Sequence, residues 1–283
     1  MTAGERCLRP AAGRCHTAIM ERILRAPSFS RGLTEIAPVS DPEMGMGLAS
    51  LRLTEGERWA QASPLESALL VFRGHARIRV GELAVEARRD DPFGALTRVV
   101  SVPPGEEAEI EAASDVEIIR VTTENATTFA PRVYGPEDAV VDRRGADGGG
   151  GAALRFVRTY FDRRNAPPES RLVVGEVVNL PGRWSSYPPH HHAQPELYHY
   201  RFRPEHGYGH AEHGDHVYKV WHGDTLRIAP GHDHAQCAAP GYAMLYVWTI
   251  RHLDDQPYEG PSFAPDHEGA IAPGAPLWSP PGE

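Results

Sequence analysis

Glycine and proline set the first limit on what this chain can fold into. Its 283 residues include 28 Gly and 26 Pro, nearly one residue in five. Both residues interrupt helices and favour turns, so the chain has little room for long helices. Short apolar or alternating runs, such as residues 68–72, 76–80 and 116–121, lie between the turns. This pattern is typical of many short strands and predicts an all-β sandwich or barrel architecture.

Strand-like segments occur in two groups separated by a glycine-rich break. The first group lies within residues 20–130 and the second within residues 154–253. Residues 131–153 contain the run RRGADGGGG, which a sheet does not accept, and they are predicted to form a linker. Residues 1–19 are predicted to be a disordered leader or an over-long start, and residues 254–283 a Pro/Gly-rich tail on the surface. The repeated strand content suggests an internal duplication.

The overall composition excludes several classes of protein. Hydrophobic residues make up 41% of the chain and charged residues 24%, as in an ordinary globular protein with a sizeable core. No window reaches the roughly 18 consecutive apolar residues of a membrane-spanning helix. A net charge of -9 argues against a nucleic-acid partner. Cys7, Cys15 and Cys237 cannot form a disulfide framework, and with no secretory signal visible we expect a reducing, cytoplasmic setting.

Histidine is concentrated in one quarter of the chain, where 11 of the 15 histidines lie. His190 and His192 are two residues apart, so on an extended strand both side chains point to the same side. Glu196 follows a short turn, and two further turns (Gly-Asp, then Pro-Gly) lead to His234. Three imidazoles and one carboxylate suit Zn, Mn, Fe, Co or Ni. We predict one divalent ion, with zinc the first expectation, bound by these four residues.

The alternative is that these histidines are only polar surface residues, because an isolated His-x-His pair is a weak signal. The ordered succession of HxHxxxE and GD…PG…H in a strand-rich chain favours a metal site instead. His191 is expected to face away from its neighbours, and His232 remains an alternative ligand to His234. Five further histidines of this region have no ligand spacing, and most are expected at the surface: His206, His210, His213, His216 and His222.

The same two patterns resemble the metal motifs of the cupin superfamily, whose members form double-stranded β-helix (jelly-roll) barrels. In the first half, Glu66 can be aligned with Glu196, but no histidine pair precedes it, and Ala108 stands at the position of His234. The resemblance implies a bicupin, with two barrels in one chain. The N-terminal barrel is expected to have no metal site, and the C-terminal barrel to carry the chemistry.

A narrower resemblance covers most of residues 20–255. The string WSSYPPHHH at residues 184–192, the following ELYHYRF, and a Pro-Gly-Tyr-x-x-x-Tyr segment ending at Tyr246 resemble the 5-deoxy-glucuronate isomerases of inositol catabolism, within the uronate isomerase family. His191 stands where that family commonly has Lys, and His216 where it has an acid. These departures concern the details of substrate binding more than the fold or the metal.

The resemblance implies an aldose–ketose isomerisation of 5-deoxy-glucuronate to 2-deoxy-5-keto-gluconate. A proton leaves the carbon next to a carbonyl and returns one carbon along, or a hydride shifts directly. A divalent cation stabilises the negative charge that develops on the substrate oxygens. In the proton-transfer route a general base must lie near the reacting carbon.

Strand alternation supplies the candidates for the rest of the site. If Glu196 faces the barrel interior, Tyr198 and Tyr200 share its face, and Tyr218 lies on a strand that enters the same barrel. These four residues are the predicted catalytic set, although the tyrosines could equally be core aromatics with satisfied hydroxyls. The cations predicted to bind the substrate carboxylate are Arg183 and Lys219.

Three other functions remain open from the sequence. They are a 5-keto-4-deoxyuronate isomerase, an iron-dependent cupin dioxygenase, and a non-catalytic sugar-binding cupin. A dioxygenase would need O2, whereas an isomerase would tolerate Zn or Mn. No helix-turn-helix pattern or basic stretch supports a transcription regulator. The expected partner is a small sugar acid, with neither nucleic acid nor membrane, and a homo-oligomer is left open.

Overall fold

A computed structural model describes residues 21–282, and these residues fold almost entirely as β-strands. The predicted leader at residues 1–19 lies outside the described residues. Within them, the helical structure is a single 3-10 turn at Gly149–Gly151. The strands are β1 Ile23–Leu24, β2 Gly32–Ala37, β3 Met46–Leu53, β4 Arg58–Ala62, β5 Glu66–Val80, β6 Leu83–Arg89, β7 Val99–Val102, β8 Glu107–Ala112, β9 Val116–Thr123, β10 Arg132–Tyr134, β11 Val140–Arg144, β12 Arg155–Phe161, β13 Leu172–Asn179, β14 Trp184–His191, β15 Glu196–Arg203, β16 Tyr208–His213, β17 His216–Trp221, β18 Thr225–Ile228, β19 His234–Ala238, β20 Ala243–Arg251 and β21 Ser262–Phe263.

The strands form two antiparallel barrels in sequence order. In the first, the long strand β5 belongs to two curved halves, with the orders β10-β7-β5-β9-β3-β2 and β4-β8-β5-β6. In the second, a seven-stranded sheet (β1-β18-β15-β20-β13-β12-β11) accompanies a five-stranded sheet (β17-β16-β19-β14-β21). Each inner face buries the apolar half of its alternating strands, as the sequence pattern requires.

The pairing scheme is duplicated. The pairs β3·β9, β4·β8, β5·β7 and β5·β9 of the first barrel recur as β13·β20, β14·β19, β15·β18 and β15·β20 in the second. Each barrel has its own apolar interior, and a third buried cluster lies between the two barrels. The prediction of an all-β chain with two related barrels is therefore confirmed.

The segments flanking the barrels contain more strand than the sequence suggested. β1 precedes the first barrel in sequence but pairs with β18 of the second barrel. Within the segment predicted as a linker, β10 pairs with β7 and β11 pairs with β12. The glycine run makes the turn between β11 and β12, where Gly149, Gly150 and Gly151 have φ values of 59, 62 and 70°. Residues other than glycine rarely adopt this left-handed backbone conformation, which explains why the turn consists of glycines.

Candidate metal centre

The predicted ligands converge because of strand pairing in the second barrel. His190 lies near the end of β14, directly opposite His234 at the start of β19. Glu196 begins β15, four residues beyond His192 and after the turn that contains Pro195. The ends of three strands therefore present imidazole and carboxylate groups to one point.

The distances define a compact donor cluster. The Nε2 atoms of His192 and His234 lie 3.1 and 3.3 Å from Oε2 of Glu196. One donor atom from each of these three buried residues lies within 4.8 Å of the others. The ring of His190 lies beside the cluster, with its centroid 4.3 Å from that of His234. The structure thus brings all four predicted ligands together, three of them within the tighter cluster.

Backbone carbonyls set the orientation of the three imidazoles. The Nδ1 atoms of His190, His192 and His234 face the carbonyl oxygens of Ser186, Gln194 and His232, at 3.1, 2.9 and 3.2 Å respectively. Donation from Nδ1 to a carbonyl leaves Nε2 as the lone-pair nitrogen and is the usual second contact of a metal-bound histidine.

The donor set fits a divalent cation. Nε2 of His234 is buried and has no hydrogen-bond partner among residues 21–282. A buried nitrogen without a partner is costly, and a metal ion satisfies it. Neutral imidazoles combined with a carboxylate suit Zn-like ions.

The local electrostatics favour the protonation states that metal binding requires. Burial alone would raise the pKa of Glu196, but the adjacent imidazoles of His192 and His234 outweigh it and lower this pKa to about 2. Burial, helped by the nearby His234, lowers the pKa of His190 to about 3. An ionised carboxylate beside a neutral imidazole is ready to bind a cation without first losing a proton.

A cavity of about 660 Å³ opens onto the cluster. Its lining includes His190, His192 and Glu196, with further residues from β11, β12, β13, β14, β15, β20 and the segments 162–164 and 258–263. Its polar and charged walls include hydroxyl groups and four arginines: Ser186, Tyr198, Tyr246, Tyr258, Arg144, Arg155, Arg163 and Arg164.

The predicted catalytic tyrosines are in different places. Tyr198 lines the cavity, and its hydroxyl lies 3.2 Å from Oγ of Ser186. Tyr200 is fully buried deeper in the barrel and donates to Oε1 of Gln236 at 2.5 Å, away from the cavity lining. Tyr218 packs, half-buried, against the interior of the second barrel and does not line the cavity.

The two cations predicted to bind the substrate are also away from the cavity. Lys219 is exposed, with its Nζ atom 4.0 Å from the ring centre of Tyr208 and 4.2 Å from that of Trp221. Arg183 directly precedes β14 and is not part of the cavity lining. Arg183 is close to His190 in sequence but not in space, because Arg183 precedes β14 and His190 lies near the other end of that strand.

Sequence reasoning did not select several residues that line the cavity. Tyr246 and Tyr258 contribute aromatic rings and hydroxyls, and Arg155 contributes a buried cation. The pairing of β15 with β20 places Tyr246 next to the ligand strand, which the duplicated strand pattern could have indicated. Nothing near Arg155 in the sequence signals its role.

Two histidines that are close in sequence to the proposed ligands, His191 and His232, are outside the cluster. His191 points away, with Nδ1 2.8 Å from Oδ1 of Asp233, as its alternation predicts. His232 stacks its ring on that of His213, with a centroid distance of 4.5 Å. Its side chain is therefore directed away from the donor atoms of Glu196.

The first barrel has different chemistry at the corresponding positions. Gln61 lies opposite Ala108, as His190 lies opposite His234. Ser67 pairs with the last residue of β7, as Glu196 pairs with the last residue of β18, so the register aligns Ser67, rather than Glu66, with Glu196. The guanidinium of Arg120 bonds Gln61 and Ser67 and places a positive charge there.

The side chain of Glu66 lies on the opposite face of its strand. It accepts hydrogen bonds from Asn125 and Ser170 at 2.8 and 2.7 Å. A shift of one residue along a strand moves the side chain to the other face, so the alignment of Glu66 with Glu196 was wrong by one position.

Two antiparallel barrels, the second with a histidine–carboxylate cluster beside its cavity, define a two-barrel cupin fold with a candidate metal centre. More narrowly, the chain belongs to the KduI/IolB family, whose model matches residues 23–270.

Curated relatives carry one name. The chain is 32% identical over 241 residues to the 5-deoxy-glucuronate isomerase of Geobacillus kaustophilus, covering 78% of this chain and 85% of the relative. It is 27% identical, with the same coverage, to the 5-deoxy-glucuronate isomerase of Geobacillus thermodenitrificans.

Solved structures show the same fold. An IolB-like protein from Salmonella typhimurium matches with a TM-score of 0.78 and 20% identity, covering 88% of this chain and 98% of that protein. A variant of Bacillus subtilis oxalate decarboxylase matches with a TM-score of 0.62 and 11% identity, over 83% of this chain and 76% of that protein. Residues 21–282 contain no helix with the length and apolar character to cross a membrane.

Proposed function

We propose that this chain is a metal-dependent aldose–ketose isomerase that converts 5-deoxy-glucuronate to 2-deoxy-5-keto-gluconate. The observation that carries the proposal is the cluster of His192, Glu196 and His234, two of which line a cavity together with hydroxyls and arginines. The family membership and the name shared by the curated relatives support the choice of reaction.

The proposed ligands are His190, His192, Glu196 and His234, and zinc is the first expectation, with Mn, Fe, Co and Ni compatible with the same donors. When bound, the cation supplies the positive charge that stabilises the developing negative charge on the substrate oxygens. The side chain of Glu196 remains ionised and helps to hold the cation.

The reaction requires that a hydrogen moves between two adjacent carbons, as a proton or as a hydride, and that a proton moves between their oxygens. Tyr198 and Tyr246 present hydroxyls to the cavity beside Ser186. Burial, with the charge of Glu196, raises the pKa of Tyr198 well above its ordinary value, and burial raises the pKa of Tyr246. Both hydroxyls therefore stay protonated and act as hydrogen-bond donors that orient the substrate oxygens.

The substrate class and compartment follow from the same proposal. The cavity would take a small sugar acid, and the enzyme would act in the cytoplasm, where the free thiol of Cys237 is stable.

The test is to remove the metal with a chelator, reload the protein with Zn or Mn, and add 5-deoxy-glucuronate. NMR should then show loss of the aldehyde and growth of a ketone without O2 consumption. No conversion by the loaded protein would contradict the proposed reaction, and O2 consumption would favour a dioxygenase.

The metal's role is tested with His234→Ala and a matched control, His232→Ala, two residues away and outside the cluster. We expect His234→Ala to lower turnover by about 10²–10³ or more, because a single electrostatic stabiliser is typically worth that much. Its melting temperature should change little, since both barrels keep their apolar cores. His232→Ala should stay near wild type; full activity of metal-free His234→Ala would make the metal structural.

A further inference from the structure

Arg155, the first residue of β12, differs from the other arginines of the metal cavity. Its side chain is almost completely buried, with only 8% of the residue exposed, and it lines the cavity wall. The other three have carboxylate partners: Arg144 with Asp142, Arg163 with Glu259, and Arg164 with Asp162. Among residues 21–282, no carboxylate lies within ion-pair distance of Arg155.

The hydrogen bonds of Arg155 leave much of its donor capacity unused. Nη1 donates to the carbonyl of Ala153 at 2.9 Å, and Nη2 donates to the carbonyl of Tyr187 at 3.3 Å. A guanidinium has five N–H donors, so these two neutral contacts satisfy only part of it. Burial lowers the pKa of Arg155, which reflects the cost of keeping its charge out of water. A buried cation normally has an anionic partner.

Hydrogen bonds connect Arg155 to β14, the strand that carries His190. The carbonyl that accepts from Nη2 belongs to Tyr187, the neighbour of Ser186. Ser186 in turn contacts the hydroxyls of Tyr198 and Tyr246, and its carbonyl faces Nδ1 of His190. The guanidinium and the donor cluster therefore lie along one cavity wall, connected by hydroxyl groups.

We propose that Arg155 binds the carboxylate of the sugar-acid substrate. This inference rests on the proposed isomerase function. The aldehyde and the carboxylate are at opposite ends of 5-deoxy-glucuronate, so a substrate with its aldehyde at the metal ligands needs a cation farther along the cavity. The planar fork of an arginine pairs with a carboxylate through two parallel hydrogen bonds, which fixes both the charge and the direction of the chain.

The charge of the cavity supports this assignment. Four arginines line it against the three carboxylates of Asp162, Glu196 and Glu259. The whole chain, in contrast, has a net charge of -9. Three of these arginines are already paired with carboxylates, so Arg155 is the lining arginine whose charge is available to an anionic ligand.

The test compares two sugars that differ only in the carboxylate: 5-deoxy-glucuronate and 5-deoxy-glucose, which has a hydroxymethyl group there. For Arg155→Gln, kcat/KM for the acid should fall about 10- to 100-fold, because a hydrogen bond between charged groups is lost. Most of this change should be an increase in KM. The value for the neutral sugar should change less than about threefold. Arg155→Lys keeps the charge but not the fork, and should restore part of the preference.

The matched control is Arg164→Gln, which removes an equal charge from the same cavity at a residue already paired with Asp162. It should keep the preference for the acid. If Arg155→Gln weakens both sugars equally, Arg155 only holds the carbonyls of Ala153 and Tyr187, and the inference is wrong. If Arg155→Gln does not fold, Arg155→Lys decides, and an unchanged acid preference in that variant overturns the inference.

A second readout separates this inference from the proposed function. Calorimetric titration of the metal-loaded protein with glucuronate and with glucose needs no turnover. If the wild type isomerises neither 5-deoxy sugar, the proposed function fails, but binding of glucuronate that Arg155→Gln loses would still support the carboxylate site. Equal binding of glucuronate by wild type and Arg155→Gln, or no binding by either, would overturn it.

Discussion

Two tyrosines on β15 show how strongly position along one strand decides a side chain's role. Tyr198 and Tyr200 share a face of the strand, but residues two apart on a strand are separated by roughly 6.5–7 Å. Tyr198 therefore reaches the cavity and the hydroxyl of Ser186, whereas Tyr200 reaches Gln236 in the interior. The alternation rule identifies the face correctly but not the depth at which the cavity ends.

This difference gives a prediction for the matched pair Tyr198→Phe and Tyr200→Phe. Tyr198→Phe should lower kcat about tenfold or more, because an orienting donor is lost from the cavity, with little change in melting temperature. Tyr200→Phe should leave kcat within about twofold but lower the free energy of unfolding by about 1–2 kcal/mol, since it leaves the buried Gln236 oxygen unsatisfied. Steady-state kinetics and urea unfolding would measure both, and an equal loss of kcat in the two variants would contradict it.

At the scale of elements, β6 of the first barrel and β13 of the second are joined by a buried ion pair. Both terminal nitrogens of Arg89 lie 2.7 Å from the carboxylate of Glu176, and both side chains are fully buried. Tyr160 also donates to this carboxylate, at 2.8 Å. The negative charge of Glu176 raises the pKa of Arg89 despite its burial. The pair holds the two barrels in a fixed register inside the apolar cluster between them.

We therefore expect Glu176→Gln to destabilise the protein by about 3–5 kcal/mol, because it leaves the Arg89 charge buried without its counter-ion. The control is Asp91→Asn, which breaks an exposed ion pair with Arg203 that also joins the two barrels. That change should cost less than about 1 kcal/mol. Urea unfolding of both variants tests the difference. Equal small losses would mean that the buried pair contributes no more than a surface contact.

Much at this scale was predictable because it depends on local sequence. The runs at residues 68–72, 76–80 and 116–121 all lie in strands, since period-two patterns and turn residues act over a few positions. The approach of His190, His192 and Glu196 follows from the short turn between β14 and β15 and is likewise local.

The remaining features depend on which strands pair, and single-sequence patterns do not contain that information. Arg155 and Tyr246 reach the cavity because β12, β13, β20 and β15 are neighbours in one sheet. The strand Val140–Arg144 is polar and has no clean alternation, so its sequence is typical of a linker. The position of Ser67 required the pairing register, since one residue of shift exchanges the two faces.

At the scale of the whole molecule, the duplication separates two tasks. Both barrels use the same pairing scheme, but at the ligand layer the first presents Gln61, Ser67 and the cation Arg120. It also contributes its strands to the cluster that lies between the barrels. We interpret the first barrel as a structural support for the second. The open end of the second barrel, where the cavity lies, carries the proposed metal ligands and the other polar residues of the site.

The segment after β20 completes that open end. It returns across the second barrel, where β21 pairs with β14 and places Phe263 opposite His190. The ring of Tyr258 lies 5.0 Å from that of His192, and the ring of Phe263 lies 5.9 Å from that of His190. The C-terminal segment thus covers two of the proposed ligands, and it limits their contact with water.

Truncation after Leu253 should therefore weaken metal retention and lower turnover at least about tenfold, because water then competes for the exposed ligands and weakens electrostatic interactions in the site. Folding should survive, since the removed residues contribute to the three apolar clusters only through the half-buried Tyr258. The matched control is truncation after Ala264, which keeps Tyr258, Phe263 and the hydrogen bond from Ala264 to Pro189. Metal content after dialysis against a weak chelator, together with kcat, would measure the effect. If both truncated proteins retained metal and activity alike, the segment from 254 to 264 would be only a surface covering, and the two barrels alone would suffice for the site.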